Sequence, residues 1–450
     1  MQQPSPRRTA HPVVEQESNA SLAFVFLYLY TLTVLIRPHE FSLETAEYIF
    51  IQVFAILTFV FTLLNLRPLK LYPQHYLIIG MLPVVMLSAF FNGWGGGGIE
   101  QSERLLVSSV VPFFLFSSLL TSPSRQRKLM FICMVAACAM ILNGYVQQGS
   151  YNGAFGTGIG NSVSVGRAEM RITYLGIFGD PNDLGMFLVM NMAFAAYFFN
   201  TGNFIVKVAM ACFFVAIIYG IYITGSRGTI VGAAGLIGLY YFINKAGVKL
   251  FIFGVVSAPI LATLLSTFGG LTSDDQSADQ RLEAWYQGIL FLIDNPVLGV
   301  SMGNFMDLHG RVAHNSYIHV ASELGGLGYS FWGGAIMLNM ITGYMLMKKY
   351  NTWEQDDIPA PTKQLYKEEL LLNKTLFFSM VGFMATAFFI SRQWSLLLYI
   401  FLGMQTASHI RVMKIRPELF SLFSKVPVYK AMLSGWVLII AVYMVLKVSL

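Results

Sequence analysis

The sequence predicts an all-α fold: a polytopic membrane helix bundle of about 12–13 transmembrane helices, with a long outer loop that contains an amphipathic helix. Three observations predict it. Of the 450 residues, 55% are hydrophobic and 12% are charged, whereas a soluble domain is about one quarter charged. Apolar stretches of the length that crosses a hydrocarbon core, about 20 residues at 1.5 Å rise each, recur along the whole chain. The basic residues collect on alternate connections, as the positive-inside rule requires.

The expected spans are 20–36, 47–65, 75–91, 105–121, 129–147, 183–200, 204–224, 229–243, 250–268, 317–347, 373–391, 394–408 and 432–449. A polar tail, residues 1–19, precedes the first and is expected in the cytoplasm. That span runs into Arg37-Pro38-His39-Glu40 rather than a small-residue cleavage site, so it reads as a retained helix. Cys133, Cys138 and Cys212 all fall inside apolar stretches, where buried packing is expected rather than a disulfide or zinc site. A spacing of five puts Cys133 and Cys138 on different helix faces.

With the N-terminus inside, the inner connections and their flanks hold 20 of the 29 basic residues, thirteen lysines and seven arginines. The other nine face outward, and all but Lys447 are arginine: Arg37, Arg104, Arg167, Arg171, Arg227, Arg281, Arg311 and Arg392. Topology needs positive charge of either kind, whereas bidentate recognition of phosphate or carboxylate favours guanidinium. The outer face therefore reads as an anion-binding face, although each arginine alone also suits a headgroup or a neighbour such as Glu100, Glu103 or Glu169. Arg227 is the strongest case. It sits in Thr224-Gly225-Ser226-Arg227-Gly228 between two closely spaced spans, where little loop carries its charge into water.

Residues 269–316 form the longest polar stretch outside the tails, and a connection of that length is usually functional. Ser277 and Gln280 have capping-box spacing, and Leu282, Trp285, Tyr286, Ile289, Leu292 and Ile293 then recur at three and four residues up to Pro296. This predicts a short amphipathic helix with Arg281 in its first turn. It either roofs a cavity or packs on the bundle. A flexible turn is expected at Gly299-Val300-Ser301-Met302-Gly303, followed by a descent through His309, Arg311 and His314-Asn315-Ser316-Tyr317 into the tenth span. Of the histidines in that descent, only His319 has an acidic residue one turn away, Glu323, so converging metal ligands are not expected. A histidine at a helix start serves either as a structural hydrogen-bonder or as a general base.

Gly179-Asp180-Pro181-Asn182-Asp183-Leu184-Gly185 opens the sixth span after a Gly-rich loop that holds Arg167, with Arg171 beyond it. Asp180 or Asn182 suits a helix cap. Asp183, one turn in, suits orienting a basic residue or a sugar hydroxyl. The glycine strings at 95–98 and 156–160 follow no strand and carry no Lys-Ser/Thr pair, so no nucleotide site, no ATP and no cofactor are expected.

The ordered set Gly-Asp-Pro-Asn-Asp-Leu-Gly, Thr-Gly-Ser-Arg-Gly, Arg281-Leu282-Glu283-Ala284-Trp285, Asn295-Pro296-Val297-Leu298-Gly299, then His314-Asn315-Ser316-Tyr317 with Glu323-Leu324-Gly325, resembles the O-antigen ligase and O-antigen polymerase superfamily. The resemblance is best over residues 170–335. It divides the chain into the tail, an N-terminal transmembrane bundle over 20–147, a ligase-like core over 148–347 with the outer loop 269–316, and C-terminal transmembrane helices over 348–450. It implies a multi-pass protein of the bacterial inner membrane with its active site facing the periplasm. The implied chemistry is an inverting, metal-independent glycosyl transfer from a glycan on undecaprenyl diphosphate to a sugar hydroxyl of a glycan or lipid A core acceptor, with membrane lipids around it and no nucleic-acid partner. Arg227 and Arg281 match the family's diphosphate-binding positions, and His314 matches its proposed base. Arg171 and Arg311 are expected to join the diphosphate site, and Asp183, Asn315 and Glu323 to hold the acceptor or orient the others. The family commonly has twelve spans, and residues 432–449 add a thirteenth that places the C-terminus outside. The alternative from another class is a transporter or flippase for an anion or lipid-linked sugar. Such proteins usually carry mid-bilayer ionisable residues or inverted repeats, and neither is evident.

Overall fold

A computed structural model describes residues 21–42, 44–65, 70–147, 171–243, 275–353 and 359–449. Every regular element among them is helical, as expected where lipid offers the backbone no hydrogen-bond partner. The helices are α1 (Ser21–Leu35), α2 (Phe50–Asn65), α3 (Pro73–Phe91), α4 (Gly95–Leu119), α5 (Pro123–Gln147), α6 (Pro181–Thr201), α7 (Phe204–Ile223), α8 (Arg227–Tyr241), α9 (Asp275–Asp294), α10 (Asn304–His309), α11 (Ser316–Lys348), α12 (Ala360–Ala387), α13 (Leu396–Ile415) and α14 (Lys425–Ser449). Among the described residues, nine helices are long and apolar enough to cross a membrane. The chain is a multi-pass membrane protein.

Twelve of the thirteen expected spans fall on these helices, and 250–268 lies outside the described residues. The described residues on either side of it sit at opposite ends of the bundle: Ile243 meets Lys348 at the foot of α11, and α9 packs at the head of the same helix. The fourth span starts earlier than hydropathy indicates, because Gly95–Leu105 is already helical. Pro112 has no N–H for the turn behind it, and the helix widens there into a π turn over Leu106–Val110, with Val111 N–H reaching back to Leu106. Of the cysteines, only Cys133 is buried. Cys138 and Cys212 are exposed, because their helices turn those faces away from the core.

Helix α13 is the central element, with 94% of its most apolar window buried, against 22% for α7 and for α14. Polar side chains bind the centre. Asn339 of α11 accepts from Gln74 Nε2 of α3 at 3.0 Å and donates to Thr406 Oγ1 of α13 at 2.9 Å. Bonds of this kind within a membrane stabilise by about 1 kcal/mol each. One end carries the lysines and holds the buried pair Arg411–Glu369, bidentate at 2.6 and 3.0 Å, with Arg411 also donating to Leu120 O. The opposite end carries the arginine-rich turns. Helix α14 crosses between them antiparallel to α11: Gly334 faces Met432, while Gly326, nearer the head of α11, faces Trp436.

Helix α11 breaks at Gly325, where φ is 62° and ψ is −163°. The segment after α9 repairs the break. Val300 N–H donates to Ser322 O, Ser301 N–H to Glu323 O, Gly326 N–H to Pro296 O and Leu327 N–H to Val297 O, at 2.8–3.1 Å. Irregular backbone at this depth survives only where protein satisfies it. The turn at 299–303, expected to be flexible, is therefore fastened. Ser88 Oγ also donates to Leu298 O at 2.6 Å and Asn92 Nδ2 to Gly299 O at 3.0 Å.

Candidate functional site at the arginine-bearing end

Four turns meet at this end. The first opens α6, where Pro181 occupies the first helical turn and Asp180 is the cap, its Oδ1 accepting from Asn182 N–H at 2.7 Å. Asn182 Oδ1 in turn accepts from Ser226 Oγ at 2.6 Å. Ser226 caps α8 through Thr229 N–H at 3.2 Å. Gly185 makes this meeting possible, because a Cβ there would lie 2.3 Å from Thr229 Oγ1. Gly225, at φ 59°, turns the chain into α8. Arg227 follows, exposed, in the first turn of that helix. The N-terminal end of a helix favours a negative charge nearby, and so does a guanidinium. Arg171 backs the turn, donating through Nε to Thr224 O at 2.7 Å.

The third and fourth turns carry His314 and Arg392. Asn315 caps α11, accepting from Tyr317 N–H at 3.0 Å and Ile318 N–H at 3.1 Å. This leaves His314 just outside the helix at φ 50°, a left-handed conformation uncommon for a residue with a side chain. Trp285 of α9 fixes the preceding residue by donating to Ala313 O at 2.9 Å. Arg392 lies on the turn between α12 and α13. Its N–H donates to Ser316 Oγ at 2.9 Å, and its guanidinium pairs with Asp183, with Asp180 at 3.9 Å. Asp183 is nearly enclosed, its side chain 7% exposed.

His314 shares an electrostatic environment with Arg281, Arg392 and Asp180. Burial holds the His314 imidazole below the ordinary histidine pKa, and the Arg281 charge pushes the same way, as do Arg392 and His319, against the opposing pull of Asp180. The ring is thus biased toward its neutral form and lies within the field of two arginines. Behind it, His319 Nε2 meets Glu323 Oε1 at 3.0 Å and His319 Nδ1 meets Ser391 Oγ at 2.9 Å. Glu323 Oε1 also accepts from Gly303 N–H at 2.8 Å.

The structure thus brings together Arg281, His314 and Asp183, with Arg171 backing the turn that carries Arg227. Asn315 serves as a helix cap and Glu323 as a buried anchor for His319 and the 303 turn. Arg311 is exposed and stands apart from the hydrogen bonds and ion pairs that join this cluster among the described residues. Arg392 is the residue that the sequence does not single out. Its signal lies in the outward arginine bias and in a carboxylate at a membrane entry that needs a cation. Helix α9 packs on α11: Ile289 is buried, and Gly288 lies against Ile318 and Phe305. It is already helical at Asp275, two residues before the expected cap Ser277. Arg104 and Arg37 pair with Glu100 and Glu40, and Arg167 lies outside the described residues. Among the described residues, no group of three or more His, Cys, Asp and Glu side chains converges as metal ligands would.

Fold and site together define a multi-pass membrane protein with a cationic, histidine-bearing site at one end of its bundle. Residues 212–333 match the family model described as O-antigen ligase, which supports the O-antigen ligase and polymerase superfamily and a glycosyltransferase-like enzyme of that type. The matched segment contains Arg227, Arg281, Arg311, His314, Asn315 and Glu323, and it stops short of Arg171, Asp183 and Arg392. A comparison with curated proteins returns no match.

Proposed function

We propose that the chain is an inverting glycosyltransferase of the bacterial inner membrane, which moves a glycan from undecaprenyl diphosphate to a sugar hydroxyl at the periplasmic face. The observation that carries this reading is the placement of His314, biased toward neutrality by burial and by Arg281, within the O-antigen ligase segment. A neutral imidazole accepts the proton of the acceptor hydroxyl as its oxygen attacks the anomeric carbon. The bond from that carbon to the diphosphate oxygen breaks with inversion, and undecaprenyl diphosphate leaves with the electron pair. Arg281 and Arg227 take up the charge that develops on the diphosphate, a task that needs no metal. Arg171 supports the Arg227 turn, and Arg311 extends the positive face toward the incoming donor. Asp183, Asn315 and Glu323 orient other groups, since each is committed to a protein partner.

The test is transfer by the purified protein, given lipid-linked glycan and acceptor in the presence of a chelator and without ATP. Transfer is expected from the unaltered protein and its loss from Arg227→Ala, Arg281→Ala and His314→Ala. Full activity in all three variants overturns the enzymatic reading. Gene disruption separates the two acceptor classes: loss of a polymerase leaves single-repeat glycans, and loss of a ligase leaves long chains on the carrier.

A further inference from the structure

Away from the site, toward the lysine-bearing end, α6, α7, α8 and α12 enclose a cavity of about 400 Å³. Its walls are apolar, with Met192, Phe214, Leu236 and Phe378 among them. Asn200, Ile237 and Tyr240 line it and are exposed, so it opens to the side of the bundle. Lys374 also lines it, its ammonium 5.4 Å from the centre of the Tyr240 ring. A second ammonium, that of Lys348, lies within electrostatic reach of Lys374 and donates to Ile243 O.

We propose that this cavity binds an anionic phospholipid of the adjoining leaflet, with an acyl chain between α6 and α12 and the phosphate at Lys374 and Lys348. The apolar walls offer dispersion contacts along an acyl chain, and the volume falls in the range of small-molecule pockets. The Lys374 ammonium in the lining, with that of Lys348 within its electrostatic reach, selects a headgroup with net negative charge, as basic pockets between transmembrane helices do. A zwitterionic lipid brings a cation of its own to the same place. The polyprenyl donor is less well matched. Its diphosphate suits the guanidinium groups at the other end, and thirteen residues of α8 separate Arg227 from Tyr240, roughly 20 Å at the helical rise. The cavity lies between the far ends of α6 and α8, the two helices whose near ends carry Asp183 and Arg227. Lipid binding at this cavity is independent of the proposed glycosyl transfer.

Native mass spectrometry of the full chain, released from detergent containing equal phosphatidylglycerol and phosphatidylethanolamine, tests it. One retained phosphatidylglycerol per chain is expected. Lys374→Gln removes a headgroup contact and leaves the cavity open, and is expected to lower that retention about fivefold. Ala193→Phe fills the cavity and is expected to abolish it; if that variant fails to fold, Lys374→Gln decides alone. Equal retention of the two lipids, unchanged retention in Lys374→Gln, or displacement by undecaprenyl phosphate but not by added phosphatidylglycerol overturns the proposal.

Discussion

The Arg392 guanidinium pairs with the Asp183 carboxylate across 209 residues of sequence, and in doing so joins the head of α6 to the turn between α12 and α13. Because Arg392 N–H also holds Ser316, this single arginine ties the acidic motif to the start of α11, two residues from His314. Asp183→Ala leaves the guanidinium with only the more distant Asp180, at 3.9 Å. The cost is about 2–3 kcal/mol, below that of a fully enclosed pair because 39% of the Arg392 side chain is exposed. Thermal unfolding in detergent is expected to show the loss, and Arg392→Ala to reproduce it.

Replacement of Arg281 or Arg227 by alanine is expected to lower the transfer rate by about 10²–10³, the effect of removing one charge-stabilising donor. His314→Ala is expected to cost about 10²–10⁴. The double variant Arg281→Ala with His314→Ala should fall short of the product of the two, because both groups serve one transition state. Arg311→Ala, an exposed position, is expected to have a small effect by comparison. Single-turnover rates on lipid-linked glycan make the comparison.

Acid dependence follows from His314. A lowered pKa keeps the ring neutral to lower pH, so kcat/KM is expected to be flat near neutrality and to fall only below the ordinary histidine value of 6.5. Arg281→Ala removes a charge that lowers the pKa and should shift the acid limb upward. Asp180→Asn removes one that raises it and should shift the limb downward. A limb that stays in place in both variants assigns the proton to another group.

Two glycines predict packing failures. Gly325→Ala puts a side chain at φ 62° and its Cβ 2.5 Å from the Val297 carbonyl carbon, which costs at least about 1–3 kcal/mol in backbone strain alone. Gly185→Val drives α6 from α8 at Thr229. Both variants are expected to unfold at lower temperature than the parent. Gly96→Ala, where nothing lies within 4 Å of the new Cβ, serves as the neutral control.

Helix α14 runs from Lys425 at the lysine-bearing end to Ser449 at the site end. A C-terminal alkaline phosphatase fusion is therefore expected to be active, and a C-terminal green fluorescent protein to stay dark. The reverse pair of signals rejects the periplasmic placement of the site.

Much of the fold is legible in the sequence. The spans follow from hydropathy because lipid leaves the backbone no other choice, and the Asp180 cap and the His319–Glu323 contact follow from helical spacing. Arg392 is visible there only as one outward arginine among eight. Its role depends on Asp183, which no local pattern connects to it. The fastened turn at 299–303 is hidden as well. Its glycines read as freedom, whereas Gly299 is there because a Cβ would lie 2.4 Å from the Glu323 carbonyl carbon. Close approach of two backbones leaves the same sequence mark as flexibility.

The fracture at Gly325 divides α11 into two separately anchored pieces. An unbroken rod of 33 residues would carry any tilt forced by bilayer thickness straight to its tip. Fastened at the fracture to the segment after α9, the head of α11 takes its direction from that segment as well as from the helix below it.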